Sequence, residues 1–263
     1  MGVLNMTPDS FSDGGCFLEP EAALDRAQSM VAEGADMIDV GGESTRPGAP
    51  AVPVDVEWSR LKPVVGKLAR QLPIPLSVDT MKPEVARRAL EAGASIINDV
   101  AAHRSDSDMA RLVADYRAGY ILMHMRGDPR TMQQNPAYND VIDDIQTFFE
   151  QRLENLEAMG VSRDQVVLDP GLGFGKTLEH NLQLLRGLAG FKKCRRPLML
   201  GASRKSFIGK VTEAGDARER LPGSLACACL GVANGAALLR VHDVAETRAA
   251  IRMTEAIMAG RAP

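Results

Sequence analysis

No apolar run in this 263-residue sequence reaches the roughly 20 residues that a membrane-spanning helix needs. The start does not read as a secretory signal peptide, because Asn5, Asp9 and Asp13 interrupt any apolar stretch there. There is no excess of one charge either. A formal net charge of −3 gives no field that would gather nucleic acid or an anionic membrane. The four cysteines, Cys16, Cys194, Cys227 and Cys229, form no C-x-x-C pair and no zinc spacing. Cys227 and Cys229 sit in an Ala-rich apolar stretch that reads as helix packing, so a reduced, cytoplasmic setting is expected. Two nucleotide motifs are also absent. Gly171-Leu-Gly-Phe-Gly-Lys-Thr177 resembles a phosphate-binding loop, but Pro170 stands where the leading glycine belongs, and Lys176 occupies the third glycine's place in the dinucleotide pattern.

What remains is apolar material for a large core. At 45% hydrophobic residues and this length, a folded chain buries roughly 70–75% of its unfolded surface without needing disulfides or a metal. One pattern recurs: a short apolar run, a polar or Gly-rich loop, then an amphipathic helix. The runs are Gly2–Leu4, Met37–Val40, Leu76–Val78, Ile96–Ile97, Tyr120–Met123, Val166–Leu168, Leu198–Leu200 and Ala237–Val241. Helices are expected at Glu21–Glu33, Glu57–Gln71, Pro83–Ala92, Asp108–Arg117, Asp140–Met159, Glu179–Leu188, Gly223–Ala233 and Val244–Ala259. Pro83 suits a first helical turn, and glycines 34, 93 and 160 each suit a position just past a helix end. Eight such units in one domain over residues 1–263 predict an α/β fold, a single (β/α)8 TIM barrel, over a doubly wound open sheet.

In a barrel, the C-terminal ends of the strands share one mouth. Following the runs outward gives Asn5, Asp39, Asp79, Asn98, His124, Asp169, Ser203-Arg204-Lys205, and Arg240 with His242. An Asp or Asn after a strand often caps the next helix, and Asp79 before Pro83 could do so, but capping cannot account for every strand. Asp39, Asp79, Asp169 and Asn98 offer acceptors for a flat, donor-rich heterocycle of the guanine or pterin kind. Arg46, Arg204, Lys205, Arg240 and His242 gather positive charge for an anionic tail, near the loops after strands seven and eight where barrels often bind phosphate. Asn5 is a candidate ligand for a hard cation such as Mg2+ bridging a diphosphate. The long loops 7–15 and 41–50 read as mobile lids. His180 reads as a helix-surface residue.

Taken together, these motifs resemble the dihydropteroate synthases. The resemblance rests on Gly2-Val-Leu-Asn-Met-Thr-Pro-Asp-Ser-Phe-Ser-Asp-Gly-Gly15, Gly41-Gly-Glu-Ser-Thr-Arg-Pro-Gly48, Ser77-Val-Asp-Thr80, Ile97-Asn-Asp99, Leu122-Met-His-Met125, Asp169-Pro-Gly-Leu-Gly-Phe-Gly-Lys176, Ser203-Arg-Lys-Ser206 and Arg240-Val-His-Asp243, in order along nearly the whole chain. It implies condensation of 6-hydroxymethyl-7,8-dihydropterin diphosphate with 4-aminobenzoate in folate synthesis, with Mg2+ and as a homodimer. Asp79, Asn98, Asp169 and Lys205 would then hold the pterin, with Met123 and Phe174 as apolar ring contacts. Asn5 with Mg2+, Arg240, His242 and residues 44–46 would hold the diphosphate. Thr45, Arg46, Pro47, Phe174, Lys205 and Ser206 would frame the aminobenzoate, and Asp13 would stabilise a pterin methylene cation. The family's usual segment before the first strand has no counterpart here, so a less well plugged barrel bottom is expected. The alternatives are a catalytically silent pterin-binding paralogue and a methyltransferase domain on the same barrel. The Ser-Thr-Arg-Pro-Gly loop and the Arg240/His242 pair argue against the latter.

Overall fold

Strands of four or five residues, buried on both faces, can pair only in parallel when each is followed by a covering helix. The computed structural model, which describes residues 1–7, 20–45, 48–101, 107–127 and 131–261, shows this arrangement. Six strands, β1 (Gly2–Asn5), β2 (Ile38–Gly41), β3 (Leu76–Asp79), β4 (Ile96–Asp99), β5 (Gly119–Met123) and β6 (Val166–Asp169), pair in sequence order. Two shorter ones, β7 (Met199–Leu200) and β8 (Leu238–Leu239), pair with each other. Single parallel bridges close the two gaps, Leu168 to Leu198 and Gly2 to Val241. The main chain seals them, with Leu168 N donating to Pro197 O at 2.9 Å and Val3 N to Val241 O at 2.9 Å. The ring of eight is complete, and the predicted barrel stands.

Nine helices are seen among the described residues: α1 (Pro20–Ala32), α2 (Val54–Gln71), α3 (Pro83–Glu91), α4 (Ser107–Tyr116), α5 (Val141–Ala158), α6 (Leu178–Arg186), α7 (Ser206–Thr212), α8 (Leu221–Ala233) and α9 (Val244–Ala259). Eight match the expected positions to within a turn. The seven-residue α7 was not expected, because Gly209 interrupts a run too short to show helical periodicity. Sequence did mark the helix boundaries well. Gly34, Gly93 and Gly160 all take positive φ, at 97°, 107° and 90°. The Asp140 carboxylate caps α5 by accepting from Ile142 N and Asp143 N at 2.8 and 3.0 Å. Asp79 caps nothing: the residue before α3 is Lys82, which makes no side-chain cap.

The pleat decides what fills the barrel. Every second residue of a strand points inward, so Met37, Ile96, Ile121, Val167, Met199 and Leu238 form one layer, and they pack together with Met1 at the base. Two residues further along the same strands come Asp39, Asn98, Met123, Asp169, Gly201 and Arg240. The interior therefore changes from apolar to polar within one pleat repeat. Outside the barrel, Phe149 of α5 meets Phe191 edge-on at 5.9 Å, in a fully buried shell between helices and strands.

Candidate active site

The polar layer opens into a cavity of about 600 Å3 at the C-terminal ends of the strands. Asn5, Asp79, Asn98, Met123, Asp169, Gly201 and Arg240 line it, one residue from each of seven strands or the turn just past it. At the eighth, Gly41, a side chain would occupy the space between Asp79 and the Asn5 Oδ1. The cavity also holds Thr45, Phe174, Lys205, Ser206 and His242, so the described residues that the family resemblance assigns to substrate or cation all reach one space. Asp13, Arg46 and Pro47 lie outside the described residues.

Two residues placed in the mouth by sequence are elsewhere. Asp39 lies beneath the floor with no exposed surface. Its carboxylate accepts from Ser77 Oγ at 2.6 Å, Asn98 Nδ2 at 3.1 Å and Arg240 Nε at 2.6 Å, so it organises the floor and offers no acceptor to a ring. His124 follows Met123, whose side chain points in, so the pleat turns the imidazole outward, edge-on to Phe148 at 4.9 Å. His180 is no plain surface residue either: it closes a capping box with Thr177 and meets Tyr138 edge-on at 4.9 Å.

The sequence reading put Arg240 on the anion side of the site. Its guanidinium instead lies between two carboxylates, with Nη2 donating to Asp79 Oδ2 at 2.9 Å and Nε to Asp39. A buried carboxylate pair needs a counter-charge close by, and Arg240 supplies it. The expected division into a ring half and an anion half therefore breaks at this residue. Arg204 is likewise engaged, pairing with Asp243 through Nε at 3.0 Å.

Asn98 carries the most informative atom. Its Nδ2 faces Asp39, a carboxylate that only accepts, so Oδ1 must face the other way. Oδ1 is buried and has no hydrogen-bond partner among the described residues. Leaving such an acceptor unpaired costs about 1–3 kcal/mol, so the site is built for a donor that comes from outside the protein. Asp169 stands alongside, with Oδ1 accepting from Gly171 N at 2.7 Å. Lys205 lies with its ammonium 4.6 Å from the Phe174 ring centre and donates to Leu172 O.

The electrostatics follow from burial. Asp79 is pushed up to about 7 by desolvation; Arg240 opposes the rise and Asp39 adds to it. Desolvation raises Asp169 too, against Lys205 and the Gly171 amide. Lys205 falls to about 8, again through desolvation, with Asp169 resisting. Burial would lower Arg240, but Asp39 and Asp79 more than offset it and keep it charged.

Other residues at the site were not foreseen. Glu43 lines the cavity and ties down the root of the second loop, accepting from Val52 N at 2.9 Å and Lys82 Nζ at 2.6 Å. It stands within the Gly41–Gly48 motif, where the residue type alone does not tell a loop anchor from a solvated carboxylate. Arg220 gave no signal, since it precedes a helix in an ordinary polar stretch. It reaches the mouth from beside α7, and among the described residues its guanidinium donates only to main-chain carbonyls, those of Arg204, Ala214 and Gly215. Met132 enters from the segment after β5, which carries no periodic pattern.

Known proteins share this architecture. A family model described as pterin binding enzyme matches residues 1–242. The dihydropteroate synthase of Escherichia coli K12 is 47% identical, over 99% of this chain and 92% of that one. That of Synechocystis is 46% identical, over 93% of this chain and 84% of its own length. Among solved structures, Yersinia pestis dihydropteroate synthase with a sulfonamide drug superposes with a TM-score of 0.93 at 43% identity, covering 98% of this chain and 93% of that one. Xanthomonas albilineans dihydropteroate synthase in complex with 7,8-dihydropteroate gives 0.87 at 41%, covering 98% and 92%. The chain thus belongs to the pterin-binding enzyme family and, within it, to the dihydropteroate synthases, transferases of folate synthesis.

Proposed function

We propose that this barrel mouth joins 6-hydroxymethyl-7,8-dihydropterin diphosphate to 4-aminobenzoate, giving 7,8-dihydropteroate and pyrophosphate, through departure of the diphosphate before attack. The unpaired Asn98 Oδ1 carries the reading: it asks for a donor, and a pterin's amino-pyrimidine edge supplies several. Asp79 and Asp169 flank it as further acceptors, Lys205 donates to ring acceptors, and Met123 and Phe174 contact the ring faces. Arg240 neutralises Asp39 and Asp79, and its position beside Asp79 also brings it to the diphosphate with His242. As the C–O bond breaks, its electron pair leaves with pyrophosphate, and the ring nitrogens share the positive charge left on the methylene. The arylamine nitrogen then forms the new C–N bond and gives its proton to water, so no strong general base is needed. Phe174, Lys205, Thr45 and Ser206 frame the arylamine, and Arg220 at the rim answers its carboxylate. Asp13 as cation stabiliser and Arg46 and Pro47 as substrate contacts are carried over from the family resemblance.

A Mg2+ ion fits this donor set. Asn5 offers one hard oxygen at the cavity wall, and no group of three His, Cys, Asp or Glu side chains among the described residues forms a dedicated cage. Mg2+ suits such a site because it binds through few protein ligands, substrate phosphates and water. It would neutralise charge on the departing diphosphate.

Two copies pair through α8 and α9, where Leu230, Met253, Ile257 and Met258 are each more than half exposed on packed helices. Sedimentation equilibrium should give a dimer that Ile257→Glu splits; a wild-type monomer at micromolar concentration contradicts this. A cytoplasmic setting is supported by Cys194, Cys227 and Cys229, all unpaired. Among the described residues no helix is long and apolar enough to cross a membrane.

The reaction is tested by pyrophosphate release from the purified protein. Release should require the pterin diphosphate, 4-aminobenzoate and Mg2+ together, stop on chelation, and be competed by sulfonamides against 4-aminobenzoate. Release without the arylamine, or none with all three present, contradicts the assignment.

A further inference from the structure

Lys176 is a buried lysine that the proposed reaction does not use: it is 3% exposed and stands behind the cavity wall, outside the set that lines it. Its Nζ lies 2.9 Å from Phe174 O, 3.4 Å from His124 O and 3.1 Å from His124 Nδ1. Three partners match the valence of the group in either protonation state. As an ammonium it donates three times; as an amine it donates to the two carbonyls and accepts from Nδ1–H. Burial pulls it well below the ordinary lysine range, with Asp169 resisting, and either form fills all three contacts.

The contact to Phe174 O belongs to a larger pattern. Five successive carbonyls of the loop after β6 each receive a donor. Gly171 O accepts from Phe174 N at 3.1 Å, Leu172 O from Lys205 Nζ, Gly173 O from Gln133 Nε2 at 2.6 Å, Phe174 O from Lys176 Nζ, and Gly175 O from Tyr138 Oη at 2.8 Å. A loop between a strand and a helix has no ladder partners of its own, so side chains fix its path. Of these donors, Lys176 alone is fully buried and holds the residue whose ring faces the cavity and Lys205.

We propose that Lys176 is a positioning residue for the arylamine pocket, holding the Phe174 main chain against the His124 segment so that the Phe174 ring and Lys205 keep their spacing. The inference rests on the assignment of 4-aminobenzoate to the Phe174 side of the cavity. The pterin acceptors stand on β3, β4 and β6, which Lys176 does not hold by any hydrogen bond in the structure. Phe174 and Lys205 also touch the pterin, but the arylamine has no strand-held contact, so the effect falls mainly on that substrate. Lys176→Met keeps the length and apolar stem and removes every donor. Steady-state kinetics should show KM for 4-aminobenzoate raised about tenfold or more, KM for the pterin diphosphate changed by less than about threefold, and kcat lowered less than kcat/KM for the arylamine. Lys176→Gln, which retains a shorter donor, should lie between. If Lys176→Met does not fold, the Gln variant alone decides, with the same asymmetry expected at smaller size.

Equal rises in both KM values, or no rise for the arylamine, overturn the inference and leave Lys176 a structural residue. A wild-type chain that turns over neither substrate fails the assignment of the reaction itself and takes the inference with it. A working wild type with a symmetric variant fails the inference alone.

Discussion

Asn98, Asp79 and Arg240 make the site's chemistry depend on pH. An ordinary aspartate titrates near 3.8, and burial raises Asp79 to about 7, so the fold holds its proton up to about that pH. Between about pH 4 and 7 the unfolded chain ionises this carboxyl and the fold does not, so stability falls across that window, and a ring that donates N–H bonds to the carboxylate recovers the loss. Lys205, lowered to about 8, loses its proton just above. Calorimetric titration with a pterin should therefore show affinity that rises toward pH 7 and falls again above pH 8; below 7 the decline approaches tenfold per pH unit. An affinity flat from pH 6 to 9 would show that neither group meets the ring. Asp79, Asn98 and Asp169 were legible from sequence as strand-end polar residues. That Arg240 would lie between carboxylates was not, because residue type gives a charge and not the direction in which it points.

At the scale of elements, the loop after β6 explains its own glycines. Sequence showed why the run is no nucleotide loop but gave no reason for the glycines being there. Gly171 takes φ +67° and lies so close to His124 that a Cβ would collide with its carbonyl; Gly175 takes φ +63° with Arg126 O 2.5 Å from the Cβ position. Both glycines let the loop press against the segment after β5, where Lys176 and Tyr138 then hold it. Gly171→Ala should cost upwards of about 1–2 kcal/mol from the left-handed backbone alone, more from the collision, and should displace the amide that orients Asp169. Thermal melting combined with pterin titration checks this: a lower Tm and weaker pterin binding are expected, and an unchanged pair of values would mean the loop relaxes freely. Gly48, also at positive φ, has nothing within 4 Å of its Cβ position and is the control.

For the whole molecule, one periodicity links fold to site. Runs that alternate inward and outward leave Ile96 in the apolar base and Asn98 in the polar mouth, Val167 in the base and Asp169 in the mouth, Leu238 in the base and Arg240 in the mouth. The eight runs and their helices could be read from sequence because burial imposes that repeat. The depth of each polar residue could not, which is why Asp39 and His124 were expected in the mouth. Asp39 shares the layer of Asn98 and Asp169, but Ser77, Asn98 and Arg240 cover its carboxylate, and His124 has the wrong parity. Residues such as Arg220 and Met132 arrive from segments with no repeat at all, and only the closed ring brings them to the cavity. The central claim is that seven inward positions form a seat for a donor-rich ring. A crystal structure of the protein with a bound pterin tests it most directly. The account predicts ring N–H groups about 3 Å from Asn98 Oδ1 and from the carboxylates of Asp79 and Asp169. A pterin bound elsewhere in the cavity, with Asn98 Oδ1 still unpaired, would contradict it.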